Sequence, residues 1–268
     1  MHVQAHSFGF GRCSPFSSEH WKIAPVMNMI LLQPDDFRDD GLAVLSGERA
    51  RHIRKVLKAE AGKTLRVGML NGSLGKGTVL AVDRHTVCLQ CVMDDVPPPK
   101  PQIDLLLAMP RPKVMKRLWA QLAALGVGRI VILNAAKVER FYFDTHVLEP
   151  DFYNARLIEG LQQARCTHLP EVLIRQRFKP FVEDELEEMF PDHLKLLSDP
   201  SGKQRLADLS LASERVLLAV GPEGGWTDYE RDKLQKHGFE LFGMGSRILR
   251  TDTACIATMS LIGQQIGR

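Results

Sequence analysis

The sequence predicts an α/β protein with two domains, a small β-barrel followed by a larger domain built on a parallel sheet. Short strand patterns separated by turns follow one another between residues 30 and 96, which is typical of a small barrel. After residue 102, continuous apolar strands alternate with helices, a pattern that indicates a parallel sheet covered on both faces. Four prolines in the segment 96–101 favour a stiff spacer. We therefore expect domains at 29–96 and 102–268.

The composition is that of an ordinary globular protein. Its 268 residues are 44% hydrophobic and 25% charged, and no apolar run reaches the ~18 residues of a membrane span. The net charge of +3 allows a nucleic-acid partner without requiring one. Five cysteines without a regular framework favour a reducing compartment. We expect a cytoplasmic protein that has no membrane partner.

The first 28 residues differ from the rest of the chain. They contain His, Ser, Gly and Arg residues, one acid (Glu19) and no clear periodicity. We expect a disordered N-terminal extension or an upstream start codon, and a Ser-rich, acid-poor transit peptide is the alternative.

In the small domain, the pattern at 65–70 predicts a strand that ends at Asn71-Gly72, a strong hairpin-turn signal. Two further strands are predicted at 77–82 and 86–92. A helix is predicted from Ser46 to about residue 57, with a start that resembles a capping box.

In the large domain, apolar runs predict strands and intervening periodic segments predict helices. Gly126 is expected to end the first of these helices, and Thr227 with Glu230 forms a capping box at the start of a later one. The predicted strands lie at 103–109, 130–133, 171–174, 194–197, 216–220 and 239–242, and the clearest helices at 114–125 and 151–165.

Two glycine-rich turns follow the last two strands. The first, 221–225, has three glycines in five residues and a single ionisable group, Glu223. The second runs from 243 to 247. Glycine allows the backbone to approach a ligand closely, and ligands bind at the carboxyl ends of strands in open α/β sheets. The two turns therefore predict one ligand-binding crevice.

Arg247 and Arg250 lie in and just after the second turn. They are either anion-binding groups or ion-pair partners of Asp252 and Glu223, and the residues alone leave both interpretations open.

Two basic groups predict RNA contacts. One lies on and after the small-domain helix, and the other at the start of the helix that follows the linker, where cations oppose the helix dipole. A polyanion such as RNA would explain both groups, whereas a solvated basic face is the alternative. The candidate RNA-binding residues are His52, Arg54, Lys55, Lys58, Arg111, Lys113 and Lys116.

Other patterns are less informative. The segment 72–78 resembles a phosphate loop but lacks its spacing and leads into a strand. Cys88 and Cys91 lie on opposite faces of a predicted strand, so a shared metal or disulfide is not expected. No cluster has metal-ligand spacing, and we expect no metal cofactor.

The turns and their neighbours carry a resemblance to a known family. The segments GPEGGWTDYE and MGSRILRTDTA resemble the paired C-terminal motifs of the RsmE family of ribosomal RNA small-subunit methyltransferases, within the SPOUT superfamily. Residues 52–58 are similar to that family's HxxxVLR, and 125–127 and 169–172 to two further short motifs. The likeness extends over nearly the whole chain after Met29.

The resemblance implies a fold and an activity. The first domain would be a PUA-like barrel that helps to bind RNA, and the second a SPOUT-type domain with a deep trefoil knot that pairs two subunits. The cofactor would be S-adenosylmethionine. The reaction would be methylation of N3 of a uridine in the decoding region of small-subunit rRNA, which in the family is uridine 1498 of 16S rRNA.

The resemblance also implies roles for residues. Arg250 and Thr253 would lie near the methyl group and the target base, with Arg250 stabilising the uracil anion. The cofactor-binding residues would be Gly221, Pro222, Glu223, Gly224, Met244, Gly245, Ile248 and Leu249.

The chain departs from the family pattern at several positions. These are Gln121, Ala124, Cys166 and Ser246, together with Asp252 in place of a glutamate. Two alternatives therefore stay open. One is a knotted methyltransferase with another target, such as a ribose 2′-hydroxyl, and the other is a non-catalytic RNA-binding protein.

Overall fold

The computed structural model describes residues 29–211 and 215–267. The expected N-terminal extension, 1–28, lies outside the described residues. The described chain forms two sheets, the first with five strands and the second with six.

The first sheet is mixed, with strand order β1-β3-β4-β5-β2. The β1 and β3 strands pair in parallel, and the other neighbours are antiparallel. The sequence patterns did not predict β2, which has only four residues. The strands are β1 (Ile30–Leu32), β2 (Leu42–Leu45), β3 (Thr64–Met69), β4 (Leu74–Val82) and β5 (Val87–Met93).

The helix of this part, α1 (Gly47–Lys55), begins without the predicted capping box. Ser46 occupies the N-cap position, but its side chain makes no capping hydrogen bond. The third residue after Ser46 is Arg49, whose guanidinium cannot accept a hydrogen bond as a glutamate would. Arg49 instead binds both carboxylate oxygens of the buried Asp36, at 2.6 Å each. This bidentate pair ties α1 to the start of the sheet.

The Asn71-Gly72 turn connects β3 to β4 as predicted, and it also joins the two halves of the molecule. Asn71 adopts a φ of 59°, and its N–H donates to the carbonyl oxygen of Thr167 at 2.8 Å. The Thr167 hydroxyl donates to the Gly72 carbonyl oxygen at 2.7 Å. These contacts fix the first sheet against the segment that follows α3 (Pro150–Ala164).

The second sheet is entirely parallel, with strand order β11-β9-β10-β6-β7-β8. Its two central strands are buried along their whole length, and apart from the buried Asp104 their sequences are apolar. The strands are β6 (Ile103–Ala108), β7 (Val127–Leu133), β8 (Glu171–Arg175), β9 (Leu194–Ser198), β10 (Val216–Val220) and β11 (Glu240–Phe242).

Helices connect these strands. Gly126, at a φ of 63°, ends the first of them where the sequence predicted. The acidic segment 183–188 lies within a short helical stretch that buries Phe181, Val182 and Leu186 and exposes most of its carboxylates. The helices are α2 (Pro112–Ala124), α3, α4 (Phe178–Pro180), α5 (Leu186–Met189), α6 (Asp228–Lys236) and α7 (Thr251–Gln265).

The described residues contain neither a bilayer-spanning helix nor a metal-binding cluster. None of the helices in residues 29–211 and 215–267 has the length and apolar character needed to cross a membrane. The same residues contain no group of three or more His, Cys, Asp and Glu side chains arranged to hold a metal ion.

Candidate functional site

A cavity lies at the carboxyl ends of β9, β10 and β11. The strand register places Val220 and Phe242 on either side of Ser198. The segments that follow these three strands therefore begin next to one another at the same edge of the sheet. The cavity has an empty volume of about 590 Å³, which includes open solvent at its mouth. Its lining comes from segments 198–200, 220–226 and 244–254.

Local contacts fix the first glycine-rich turn. The predicted capping box is present: the Thr227 hydroxyl accepts from the Glu230 N–H, and the Glu230 carboxylate accepts from the Thr227 N–H at 2.9 Å. Glu230 is 2% exposed and also accepts from the Ala136 N–H at 2.7 Å. The side chain of Trp226 lies so close to Gly221 that a Cβ there would be 3.1 Å from the indole.

A close approach of two backbones fixes the second turn. A Cβ on Gly243 would lie 2.2 Å from the carbonyl oxygen of Gly202, so neither segment has room for a side chain at this crossing. The Gly243 N–H donates to the Gln204 carbonyl oxygen at 2.9 Å, and the Asp199 N–H donates to that of Phe242 at 3.1 Å. The loop after β9 therefore determines where the second turn lies.

The cavity has an apolar wall and a few polar groups. Met244, Ile248 and Leu249 contribute apolar side chains, and Ile248 is 84% exposed at the rim. The Asp199 carboxylate is buried and accepts from the N–H and hydroxyl of Ser201. The indole Nε1 of Trp226 is buried and has no hydrogen-bond partner within the described residues. A polar ligand group in the cavity would satisfy that donor.

The structure brings together seven of the eight predicted cofactor-binding residues. They are Gly221, Pro222, Glu223, Met244, Gly245, Ile248 and Leu249. The eighth, Gly224, does not line the cavity, because its carbonyl oxygen accepts from Lys137 Nζ at 2.9 Å and the Lys137 side chain lies against its Cα.

The two predicted catalytic residues lie beside the cavity and not in its lining. Arg250 is the N-cap residue of α7 and is exposed. It stands between Leu249 and Thr251, which both line the cavity. Thr253 is exposed in the first turn of α7, and its N–H donates to the Asp252 carboxylate at 2.9 Å.

The geometry does not support the ion-pair interpretation of the two arginines. The Glu223 carboxylate accepts from the Arg111 N–H at 3.0 Å, and the Asp252 carboxylate lies 3.4 Å from the Arg117 guanidinium. Within residues 29–211 and 215–267, neither Arg247 nor Arg250 has a carboxylate within ion-pair distance. Both guanidinium groups remain available for an anionic ligand.

The basic group of α2 lies next to the cavity. Arg111 is the N-cap residue, and the first turn of α2 contains no acid. The cations of the group are all exposed, and they are Arg111, Lys113, Lys116 and Arg117. The contacts of Arg111 with Glu223 and of Arg117 with Asp252 connect this group to the first turn and to the start of α7. A ligand that reached from the cavity across α2 would meet Lys113 and Lys116.

The basic group of α1 belongs to the first sheet, and none of its members lines the cavity. His52, Arg54 and Lys55 lie in the last turn of α1, where cations stabilise the helix dipole. Lys58 follows at a φ of 45°. The interaction with the helix dipole is therefore a structural explanation for the cations of the last turn, in addition to the predicted contact with RNA.

Sequence reasoning missed several residues that line the cavity, among them Asp199 and Trp226. Asp199 follows β9, a strand that the sequence did predict, and the rule that parallel strands end at a common edge could have found it. Trp226 comes directly after the glycine-rich turn. Because tryptophan is mainly apolar, the sequence did not indicate that its indole N–H would be a hydrogen-bond donor at the cavity.

The thiol of Cys255 is buried and protonated. Cys255 is fully buried in α7, and burial, followed by the negative charge of Asp252, raises the pKa of its thiol far above the ordinary value. The group therefore stays protonated at neutral pH.

Comparison with known proteins gave consistent results. The protein-family sequence model for the RNA methyltransferase domain matches residues 97–263. The chain is 30% identical to the ribosomal RNA small subunit methyltransferase E of Treponema pallidum, covering 88% of this chain and 90% of that protein. It is 25% identical to the ribosomal RNA small subunit methyltransferase E 1 of Borreliella burgdorferi, covering 90% and 99%.

The fold also has a solved counterpart. A ribosomal RNA small subunit methyltransferase E from Neisseria gonorrhoeae, crystallised with S-adenosyl methionine, superposes with a TM-score of 0.74 at 21% identity, covering 89% of this chain and 97% of that one. The likeness supports the α/β fold with its parallel sheet.

Proposed function

This chain belongs to the ribosomal RNA small subunit methyltransferase E family, and we propose that it transfers a methyl group from S-adenosylmethionine to N3 of a uridine in small-subunit rRNA. The observation that carries the proposal is the cavity between two glycine-rich turns, where Arg247 and Arg250 have no carboxylate partner among the described residues. The family target, uridine 1498 of 16S rRNA, is the proposed substrate.

The residues around the cavity suit S-adenosylmethionine. Met244, Ile248 and Leu249 would hold its adenine, because they form an apolar wall. The Trp226 indole N–H, which is buried without a partner among the described residues, would donate to one of its polar groups. When bound, S-adenosylmethionine supplies a methyl group attached to a positively charged sulfur. The proposed site is completed by Gly221, Pro222, Glu223 and Gly245. Gly224 contributes indirectly, because its carbonyl oxygen accepts a hydrogen bond that positions the Lys137 side chain.

Arg250 would stabilise negative charge on the target base. Uracil N3 is a weak acid and loses its proton to solvent before or during methyl transfer. A guanidinium beside the uracil carbonyls stabilises the resulting anion and lowers the pKa of N3, typically by ~1–3 units for a close opposite charge. Thr251, whose hydroxyl lies 3.3 Å from the Gly221 carbonyl oxygen, holds the start of α7 against the first turn. Thr253 would face the same base.

The two halves of the chain would share the binding of RNA. We propose that residues 29–96 form a PUA-like barrel and residues 102–268 a SPOUT-type domain with a trefoil knot. The close crossing of Gly202 and Gly243 supports the tight threading of chain segments that such a knot needs. The proposed RNA surface consists of His52, Arg54, Lys55, Lys58, Arg111, Lys113 and Lys116.

We further propose a homodimer that acts in the cytoplasm. The homodimer is what the resemblance to the RsmE family implies. Light scattering on the purified protein measures the oligomeric state directly.

The experiment is methyl transfer in vitro. Purified small ribosomal subunits are incubated with the protein and methyl-labelled S-adenosylmethionine, and the RNA is then digested to nucleosides. We expect label in 3-methyluridine. Label in a 2′-O-methylated nucleoside would replace the proposed reaction with ribose methylation, and binding of RNA without any label would indicate a non-catalytic protein.

A further inference from the structure

A second cavity lies beside the first. It is bounded by Asn134, Arg140, Gln176, Phe178, Lys179 and Tyr229, and we call it the flanking cavity. Asn134 and Gln176 directly follow β7 and β8, so this cavity also opens at the carboxyl edge of the parallel sheet. Its empty volume is about 750 Å³, including open solvent.

A thin layer of structure separates the two cavities. Phe178, in the flanking cavity, packs against Trp226, in the cofactor cavity, with ring centroids 6.0 Å apart. The same layer contains the hydrogen bond from Lys137 Nζ to the Gly224 carbonyl oxygen and that from the Ala136 N–H to Glu230. A ligand in the flanking cavity would therefore be a near neighbour of the cofactor.

The flanking cavity has the groups that recognise a base. Tyr229, which lines the flanking cavity, is 56% exposed, and its ring offers a stacking surface. The side chain of Asn134 donates through Nδ2 to the Gln176 carbonyl oxygen at 3.3 Å. Its Oδ1 is buried and has no hydrogen-bond partner among the described residues, so it needs an N–H donor from a ligand. The amino and imino groups of nucleobases are such donors.

Two cations stand at the mouth of this cavity. Arg140 is exposed and has no carboxylate within ion-pair distance in the described residues. Lys179 is exposed, and its carboxylate neighbour, Glu183, is 3.9 Å away, a distance at which an exposed pair contributes little. These two side chains are free to contact phosphates.

We propose that the flanking cavity binds a base of the RNA substrate other than the one that is methylated. The base stacks on Tyr229 and donates a hydrogen bond to Asn134, and Arg140 and Lys179 contact the adjoining phosphates. This inference rests on the proposed function, since it takes RNA as the substrate. It gives the enzyme a second point at which the RNA is held beside the cofactor.

The test compares Tyr229→Ala with Tyr229→Phe, a matched control that keeps the ring. The measured quantity is the affinity for small ribosomal subunits. Stacking of one base on an aromatic ring predicts a loss of about 5- to 150-fold for Tyr229→Ala, and a change within about twofold for Tyr229→Phe. The affinity for S-adenosylmethionine, measured by calorimetry, should stay within about twofold in both variants, which also shows that they are folded.

A second variant tests the phosphate contacts. Arg140→Ala combined with Lys179→Ala should reduce the slope of log affinity against log salt by about 1.4, since each contact with single-stranded RNA contributes about 0.7. An unchanged slope contradicts the placement of phosphates at the mouth of the cavity.

The possible failures can be told apart. If wild-type protein binds and methylates small subunits but Tyr229→Ala binds them equally well, the flanking cavity is not a base site and the proposed function survives. If Tyr229→Ala instead changes the oligomeric mass measured by light scattering, the cavity faces a second copy of the chain. If wild-type protein neither binds nor methylates RNA, the proposed function fails and the inference fails with it.

Discussion

Replacing Gly243 by alanine tests whether the crossing of two backbones positions the cofactor cavity. The new Cβ would lie 2.2 Å from the carbonyl oxygen of Gly202. To reach a contact of ~3.5 Å, the two segments must separate by roughly 1.3 Å. A hydrogen bond lengthened by that amount is lost, and this applies to the 2.9 Å bond from the Gly243 N–H to Gln204.

The expected cost comes from these contacts. Overpacking at a buried site costs about 1–3 kcal/mol, and an unsatisfied buried backbone group costs a further ~1–3 kcal/mol. We expect Gly243→Ala to lower the free energy of unfolding by about 3 kcal/mol. Because Met244 and Gly245 move with the second turn, the affinity for S-adenosylmethionine should fall by about 10-fold or more.

Urea unfolding measures the stability and calorimetry measures the binding. Ser246→Ala is the matched control, since Ser246 is exposed in the same turn and its replacement should change neither quantity by more than ~0.5 kcal/mol. If Gly243→Ala is as stable as wild type and binds S-adenosylmethionine with the same affinity, the crossing does not hold the second turn in place.

Three further predictions concern single side chains. Trp226→Phe removes the buried N–H and should weaken binding of S-adenosylmethionine by about 2- to 12-fold, measured by calorimetry, and an unchanged affinity would mean that the indole N–H does not contact the cofactor. Arg250→Ala should lower kcat by about 10²–10³-fold and leave cofactor affinity within about twofold, and a variant that methylates RNA at the wild-type rate would exclude Arg250 from catalysis. The pKa of the Cys255 thiol is raised by burial, so above its ordinary value of 9.0 the unfolded chain releases a proton that the folded chain keeps. The free energy of unfolding of the wild type should therefore fall as the pH rises above that value, by up to about 1.4 kcal/mol per pH unit. Urea unfolding of Cys255→Ala should show a shallower fall. Equal slopes of unfolding free energy against pH in the two proteins would contradict a raised pKa for the Cys255 thiol.

The sequence predicted most of the architecture because the strands of the second sheet are mostly apolar and the helices between them are periodic. The start of α6 could also be predicted, since the capping box of Thr227 and Glu230 is a local sequence pattern. The β2 strand was missed because it has four residues and lies directly after the turn at Gly41. The side chain of Ser46 does not cap α1, because the third residue after it, Arg49, binds Asp36 instead.

Only part of the candidate site could be predicted from the sequence, because local motifs do not show contacts between residues that are far apart in the chain. The two glycine-rich turns are local signals that predicted a crevice, and seven of the eight cofactor-binding residues that the family resemblance implied line one cavity. The partners of Glu223 and Asp252 could not be predicted, since Arg111 lies 112 residues from Glu223 and Arg117 lies 135 residues from Asp252. Contacts at such separations depend on the whole fold, and so do the positions of Lys137 and Gly202.

Mass mapping of small-subunit rRNA from cells that lack this protein tests both the reaction and its target. We expect one RNA fragment to become lighter by a single methyl group, and the missing group to be on N3 of a uridine. Wild-type protein should restore that group, whereas Arg250→Ala should not. An rRNA of unchanged mass, or a missing methyl group on a ribose, would contradict the proposed uridine-N3 methylation.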